Sequence, residues 1–362
     1  MQTWNDQTHR AVRSDMGQLP TVLDVATAAG VSRQTVSNVL NSPELVRPAT
    51  REKVESAIAD LGYRPHASAR RLRTQKSSTI GIRLDPMTDG ISGSVLDRFL
   101  HALTEQADAK GLRVLLFTAT DPDDEIRQFQ RLRDGADVDA FVLTSTFHGD
   151  PRTEWLIENG QSFVTFGRPW GIDDMDDPQH LWVDVDGRHG LREATMHLLE
   201  TGLTRIGYIG WPSPSGTGDD RRLGWMETMA KASGLTPAEV DALEVTAQEG
   251  VSYGAAAVRL LEDAPGGVDG VVCASDSLAL GALIGSTRRI PIIGYDNTPV
   301  AASIGFSSVE QPLDQVAAGV LELLTGAHGG KLNDDTVTDP RHRLVKPRLV
   351  VRDVPTLGVA TH

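Results

Sequence analysis

The stretch Leu19-Pro-Thr-Val-Leu-Asp-Val-Ala-Thr-Ala-Ala-Gly-Val-Ser-Arg-Gln-Thr-Val-Ser-Asn-Val-Leu-Asn41 encodes two helices and the turn between them. Thr21 with Asp24 three residues on has the spacing of a helix N-cap whose acid reaches back to it. Val22, Val25, Ala26 and Ala29 then recur at helical spacing. Gly30 closes this helix, because glycine takes up the left-handed C-cap backbone without a side-chain clash. Ser32 caps a second helix that runs to about Leu40, places Val36, Val39 and Leu40 on its inner face, and breaks at Asn41-Ser42-Pro43. A third helix starts near Pro48, a favoured first-turn residue, and ends at Gly62. It puts Val54, Ala57, Ile58 and Leu61 on one face. Three short helices with a tight Gly-Val-Ser turn describe an all-α helix-turn-helix domain over residues 19–63.

On either side of this domain the pattern changes. Residues 1–18 are polar and aperiodic and read as a flexible N-terminal extension. Residues 64–77 read as a linker. Arg64-Pro65 stops the preceding helix, and His66 to Arg73 has the length of two helical turns, too short to hold alone in water. This segment is expected to order only against a partner. From Ser78 strands alternate with helices. Strands are expected at 79–82, 112–117, 140–143 and 162–166, with helices at 95–110 and 124–133. A second series follows, with helices at 190–200, 223–232, 253–261 and from Ser277, and strands at 205–209, 270–273 and 291–294. The alternation implies parallel sheets covered by helices, in two similar α/β lobes within residues 78–362.

Charge separates head from body. Residues 1–77 hold 11 Lys/Arg and 7 Asp/Glu, whereas the rest of the 362-residue chain holds 24 and 42. Residues 62–77 contain Arg64, Arg70, Arg71, Arg73 and Lys76 and no acid. A basic head on an acidic body confines polyanion binding to one end, although charge alone leaves a solvated tail equally open. With 40% hydrophobic residues the chain is too apolar for wholesale disorder, and its length predicts two or three domains. No stretch approaches the ~20 apolar residues of a membrane span. The polar N-terminus has no signal-peptide core. Cys273 stands alone, which excludes an internal disulfide, and reads as a small buried core residue. These features point to the cytoplasm.

Nothing in the pattern calls for catalysis. Gly210 to Gly218 is glycine-rich but lacks the Gly-Lys-Ser/Thr ending of a phosphate loop and the spacing of a dinucleotide fold. The ten histidines show no metal spacing, and His189 and His197, eight apart, read as surface residues. No nucleophile elbow occurs. No catalytic residue, metal or cofactor is expected.

The ordered motifs resemble the lac-repressor (LacI) family of bacterial transcription regulators. The likeness begins with residues 19–41 and continues through Thr50-Arg-Glu-Lys-Val54, Leu61-Gly-Tyr-Arg-Pro65, Ala69-Arg-Arg-Leu72 and Ile80-Gly81. In the body it includes Gly207–Gly210, Arg221-Arg-Leu-Gly224, Ala274-Ser-Asp-Ser-Leu-Ala-Leu-Gly281, Ile293-Gly-Tyr-Asp296, Ser308-Val-Glu-Gln-Pro312 and Pro347-Arg-Leu-Val-Val-Arg352. The resemblance implies a DNA-binding head, a hinge helix, and a two-lobed body like periplasmic sugar-binding proteins. Three lobe crossovers are expected near 183–186, 307–309 and 344–346.

A recognition helix lays its first residues against base edges in the major groove. Here these are Ser32, Arg33, Gln34, Thr35, Ser37 and Asn38. Arg pairs bidentately with guanine and Gln with adenine. The resemblance places base readers at Arg33, Gln34 and Asn38, and adds Thr21, Asn41, His66, Ala69 and Arg70 as DNA contacts. Leu72 matches the hinge leucine levered into the minor groove, a wedge that kinks the duplex. Asn38, His66 and Arg47 depart from the family, which often has Arg, Asn and Ser there, and residues 285–290 form a shorter connection than usual.

In α/β sheets ligands sit beyond the carboxyl ends of strands. The loops so placed are 84–89, 144–147, 167–170, 211–221, 275–276 and 296–297. Arg221 and Asp296 match the family's ligand-binding Arg and Asp. Asp85, Arg168 and Asp276 complete the effector candidates, with helix capping an equal alternative for Asp276. Trp170 and Trp211 are assigned to packing rather than to stacking on a sugar. The expected function is a ligand-responsive regulator, a repressor of a carbohydrate-utilisation operon that a small sugar releases from double-stranded operator DNA. A homodimer is implied, with a tetramer as the larger option and no membrane partner. An activator, or a regulator with a nucleobase or phosphosugar corepressor, is the alternative, ahead of a sugar-binding transport protein or a sugar-metabolising enzyme.

Overall fold

The computed structural model describes residues 20–63, 77–85, 91, 93–171, 175, 177–326 and 341–352. The extension 1–18 and the hinge residues His66, Ala69, Arg70 and Leu72 lie outside the described residues. The chain divides into two units at Lys76/Ser77.

The first unit holds α1 (Val22–Ala29), α2 (Arg33–Asn41), a 3-10 turn at Pro43–Leu45, and α3 (Pro48–Leu61). Both expected caps form. The Thr21 backbone N–H donates to Asp24 Oδ2 at 2.8 Å, and the Asp24 N–H donates back to Thr21 Oγ1 at 3.4 Å. Gly30 takes φ 64°, and Ser32 Oγ accepts the Thr35 N–H at 3.1 Å. Arg47 makes no side-chain cap, and Pro48 alone sets the start of α3. Val25, Ala26, Val36, Val39, Val54 and Ala57 form the core. Tyr63, just past the Gly62 turn, closes this core, whereas Leu61, expected inside, is exposed.

The second unit begins with β1 (Thr79–Arg83), α4 (Gly93–Ala109), β2 (Arg113–Phe117), α5 (Pro122–Asp134), β3 (Ala140–Leu143), α6 (Pro151–Glu158), β4 (Phe163–Phe166) and β5 (Trp182–Val185). The other lobe follows with α7 (Gly187–Glu200), β6 (Ile206–Gly210), α8 (Thr217–Ala232), α9 (Pro237–Asp241), β7 (Glu244–Thr246) and α10 (Val251–Asp263). It continues through β8 (Gly270–Cys273), α11 (Asp276–Gly285), β9 (Ile292–Tyr295), α12 (Pro299–Ile304) and β10 (Ser307–Glu310). The chain then returns as α13 (Leu313–Thr325) and β11 (His342–Val345), and crosses once more to β12 (Arg348–Val350).

Two six-stranded sheets result, ordered β11-β5-β4-β3-β1-β2 and β12-β10-β9-β8-β6-β7. The first is parallel throughout, and the second is parallel except for β12, which runs antiparallel to β10. Strands such as Ala140–Leu143 and Gly270–Cys273 are buried along their whole length, as helices on both faces require. Cys273 is buried in the second lobe's core. The chain passes between sheets after β5, after β10 and after β11.

α8 starts at Thr217, earlier than the apolar pattern suggests, and packs on α7. A Cβ at Gly224 would fall on the Arg188 carbonyl, so this glycine sets how closely the two helices approach. His189 and His197 on α7 are half-buried rather than surface residues.

Candidate ligand cleft and nucleic-acid interface

In the first unit, α2 presents a row of polar side chains away from its valine face. Ser32, Arg33, Gln34 and Asn41 are exposed, and Thr35, Ser37 and Asn38 are half-buried. Several already touch one another. Gln34 Nε2 donates to Asn38 Oδ1 at 2.9 Å, and Asn41 Nδ2 donates to the Ser37 carbonyl at 2.5 Å. Ser32 and Thr35 share a hydroxyl–hydroxyl hydrogen bond of 2.9 Å. Thr21 spends its hydroxyl on Asp24 at 2.7 Å. Arg33 extends into solvent at the helix start, where the positive end of the helix dipole adds to its own charge.

In the second unit, a cleft of about 850 Å³ opens at the carboxyl ends of the strands of both sheets. The first lobe contributes Ile82, Arg83, Leu84 and Asp85 after β1, Thr144 to Thr146 after β3, Gly167 after β4, and Asp184 and Val185 of β5. Its α4 adds an apolar face of Val95, Leu96, Phe99 and Leu100. The second lobe contributes Trp211, Thr217, Arg221, Glu249, Ser275, Asp296 and Gln311. The second lobe's wall is thus mainly polar, and the first lobe's combines polar loop residues with the apolar face of α4.

Arg221 and Asp296 form the centre of the polar wall, and only 5% and 6% of their surface remains exposed. Arg221 Nη1 donates to the Ala274 carbonyl at 2.5 Å, and Nη2 lies 3.6 Å from Asp296 Oδ1. The guanidinium sits 3.7 Å from the Tyr295 ring centroid and 5.3 Å from that of Trp211. Its Nε is buried and makes no hydrogen bond among the described residues. An unmatched buried donor is costly unless something else pairs with it.

Asp296 follows β9 with φ 103°, and Asn297 follows with φ 44°. Two consecutive non-glycine residues at positive φ store strain where the backbone turns Asp296 toward the cleft. Gln311 Nε2 donates to Asp296 Oδ1 at 2.6 Å. From the other lobe, Arg98 Nη1 donates at 3.3 Å to both the Asp296 and Asn297 carbonyls. Burial pushes the Asp296 carboxyl up to about 7, against the pull of Arg221 and Gln311 and with the charge of Asp276 adding to the rise.

The other candidates take different places. Asp85 lines the cleft on the opposite wall, paired with Arg83 and accepting the Ser145 hydroxyl at 3.1 Å. Arg168 lies outside the cleft lining. Its Nε donates to Asp184 at 2.8 Å and its Nη2 to Asp220 at 2.7 Å, so it joins β5 of one lobe to α8 of the other. Asp276 also lies outside the lining. It accepts the Thr298 N–H at 2.7 Å and the Ser308 hydroxyl at 2.6 Å, and ties α12 and β10 to α11. Burial pushes its carboxyl up to about 6, against those donors. The cap of α11 is Ser275. Trp170 is buried outside the cleft beneath the Arg168 guanidinium, which lies 4.4 Å from its ring centroid. Trp211 does line the cleft, and its indole N–H donates to Glu249 Oε2 at 2.6 Å.

Glu249, Gln311, Asp184 and the α4 face escape the sequence reading. Glu249 follows β7, a three-residue strand, and Gln311 lies at a lobe crossover; the strand-end rule would have found both had β7 and β10 been recognised. Among the described residues no group of three His, Cys, Asp or Glu is placed to hold a metal, and no helix is long and apolar enough to cross a membrane.

Known proteins share this arrangement. Residues 21–66 match the domain described as bacterial regulatory proteins, lacI family, and residues 195–353 match the periplasmic binding protein-like domain. The HTH-type transcriptional regulator CelR of Thermobifida fusca is 34% identical over 351 residues, which is 92% of this chain and 98% of that protein. A solved transcriptional regulator CelR–cellobiose complex is similar with TM-score 0.63 and 29% identity, covering 93% of this chain and 100% of the other. The lac repressor dimer bound to operator and the anti-inducer ONPF has the same fold, with TM-score 0.71 at 21% identity, covering 93% and 99%.

Proposed function

Because the chain belongs to the lacI family of bacterial regulatory proteins, we propose that it represses a carbohydrate-utilisation operon and leaves its operator when a sugar enters the cleft. It is a DNA-binding, ligand-responsive transcription regulator. The finer assignments are our reading. Arg33, Gln34 and Asn38 read bases, and Ser32, Thr35, Ser37 and Asn41 hold the helix against the backbone of the duplex. Thr21 contributes through the capping of α1. The segment 64–77, with His66, Ala69, Arg70 and Leu72, contacts DNA and kinks it. Arg221, Asp296 and Asp85 hold the sugar, while Arg168 and Asp276 shape the cleft from behind.

One observation carries the effector reading: the Nε of Arg221, buried beside Asp296 on the wall of a large cleft and without a hydrogen bond among the described residues. A carboxylate and a guanidinium together bind hydroxyl-rich ligands strongly, because charge-assisted hydrogen bonds are short and directional. The volume suits a small sugar or a disaccharide, since ligand pockets typically span ~300–1,000 Å³. Ligand alters the angle between the lobes, and the altered lobe positions change the spacing of the paired hinge segments. A two-fold dimer matches a palindromic operator. Its contact face is supported by Tyr253 and Leu260 on α10 and Ile284 on the adjoining α11, each at least half exposed. The cell compartment is the cytoplasm, where operator DNA lies.

The test is operator binding by the full chain, on a duplex selected from a random pool, with and without a panel of sugars. Release by a sugar supports the reading. A sugar that tightens operator binding would make the protein a corepressor-dependent regulator instead.

A further inference from the structure

Arg152 on α6 and Glu125 on α5 are each only 1% exposed, and neither lines the cleft. A buried ion pair adds little stability over apolar side chains of the same size, so this one calls for another reason. Arg152 Nη1 donates to Glu125 Oε2 at 2.9 Å, and its Nη2 donates to the Thr144 and Ser145 carbonyls at 3.2 Å each. Asp150, the cap of α6, accepts from Nε at 2.9 Å and from Nη2 at 2.6 Å.

The same Glu125 oxygen lies 3.4 Å from Arg83 Nε, and Arg83 lies against Asp85. Ser145 Oγ donates to Asp85 Oδ2 at 3.1 Å. The contacts therefore close a circuit, from Asp85 through Arg83, Glu125 and Arg152 to Ser145 and back to Asp85. Asp85, Ser145 and Arg83 form its cleft edge. Ser145 has φ 56°, a left-handed backbone that a serine keeps only where its surroundings impose it. The Arg152 fork grips the carbonyl of this residue and of the one before it. An ammonium could not do the same, because it lacks the planar fork that meets carbonyls and carboxylates together.

We propose that Arg152 and Glu125 are positioning residues for the first lobe's ligand contacts: from outside the cleft they hold Asp85 and Ser145 where sugar hydroxyls donate to them. The proposal rests on the reading of the cleft as the effector site. A carboxylate anchored in this way is ordered before the sugar arrives, so binding does not have to order it.

The experiment uses the full chain with cellobiose, galactose and glucose, and its probe is whichever binds wild type most tightly by calorimetry. Arg152→Lys weakens that sugar about tenfold and speeds amide exchange in residues 144–147. Glu125→Gln, which keeps the shared acceptor oxygen, binds as wild type. Glu125→Leu leaves each arginine one acid and weakens the sugar as Arg152→Lys does, so the test stands even if the lysine variant fails to fold. The decisive readout is the cycle with Asp85→Ala. Once Asp85 is absent, Arg152→Lys or Glu125→Leu changes sugar affinity by less than about twofold. Losses that multiply instead overturn the proposal, as does wild-type affinity in both variants. Arg221→Ala keeps the two readings apart. If it abolishes sugar binding while the losses multiply, only the role of Arg152 and Glu125 fails. If binding survives it, or none of the three sugars binds wild type, the cleft reading fails and the proposal falls with it.

Discussion

Arg33 and Gln34 stand exposed on α2, whereas Arg221 and Asp296 keep about one-twentieth of their surface. The two pairs use similar chemistry under opposite conditions. The exposed pair is solvated, so folding neither costs nor gains much from it, and its value appears only when DNA arrives. The buried pair is held by strained backbone, two aromatic rings and Gln311. Its charges are coupled to folding, to pH and to ligand together. The difference teaches that loss of the exposed pair should be silent until DNA is added, while damage in the cleft should register in the free protein as well.

The largest effect is expected at Arg221. Arg221→Ala removes several charge-assisted bonds at ~1.5–3 kcal/mol each, so sugar affinity should fall by about a hundredfold or more. Operator affinity without sugar should stay within about twofold. Calorimetry on the sugar and fluorescence anisotropy on the operator read the two quantities separately. Loss of both together would erase the contrast between head and cleft.

Next comes the head. Arg33→Ala or Gln34→Ala should cost ~1–3 kcal/mol on the operator and relax preference at one base pair per half-site. Sugar affinity should not move. Equal losses on specific and scrambled DNA would make these residues phosphate contacts.

The sequence made the head legible because its signals are local. Thr21, Gly30, Ser32, Pro48 and Gly62 mark helix ends by backbone chemistry that acts within a turn. Leu61 was misplaced because Tyr63, past the turn, reaches back and takes the core position. In the body the early strands and helices follow from periodicity, while α6, α9, α12, α13, β5, β7, β10, β11 and β12 do not. Asp150 and Pro151 before α6, and Leu313, Val316, Ala317 and Val320 in α13, carried usable signals. β5 hides a buried carboxylate, Asp184, that no alternation rule anticipates. In the cleft, Arg221, Asp296 and Asp85 came from strand-end loops and family likeness. Arg168 sits in such a loop and Asp276 at the helix start that follows one, yet their side chains are spent on internal partners, and a linear pattern carries no record of which carboxylates are already taken.

A smaller effect sharpens the contrast through pH. Asp296 has its carboxyl raised from 3.8 to about 7. The folded protein therefore holds a proton that the unfolded chain lacks between about pH 4 and 7, and stability should decline as pH rises through that window. Sugar hydroxyls donate to the ionised form, so affinity should rise about tenfold from pH 6 to pH 8. Asp296→Asn should flatten the affinity profile and weaken the decline in stability, part of which comes from Asp276. Asp276, raised to about 6, titrates nearby, and Asp276→Asn should keep the rise in affinity but move it to lower pH, because the charge of Asp276 no longer pushes Asp296 up. Operator binding by the sugar-free protein offers no such group on α2.

The smallest effect is the cap. Thr21→Ala should destabilise the head by ~0.5–2 kcal/mol, read as increased amide exchange in α1, with sugar affinity unchanged. A Thr21→Ser variant, which keeps the capping oxygen, should behave as wild type. If Thr21→Ser loses operator affinity with α1 intact, the Thr21 methyl touches DNA directly.

The central claim is that one ligand in the cleft controls DNA binding by a separate unit. Its most direct test is anisotropy of a labelled operator with wild type and Arg221→Ala, titrated with the sugar that stabilises the wild type most. The account predicts that sugar releases wild type from DNA, while Arg221→Ala binds the operator equally well and stays bound at saturating wild-type concentrations. Release of both proteins at the same sugar concentration would contradict it.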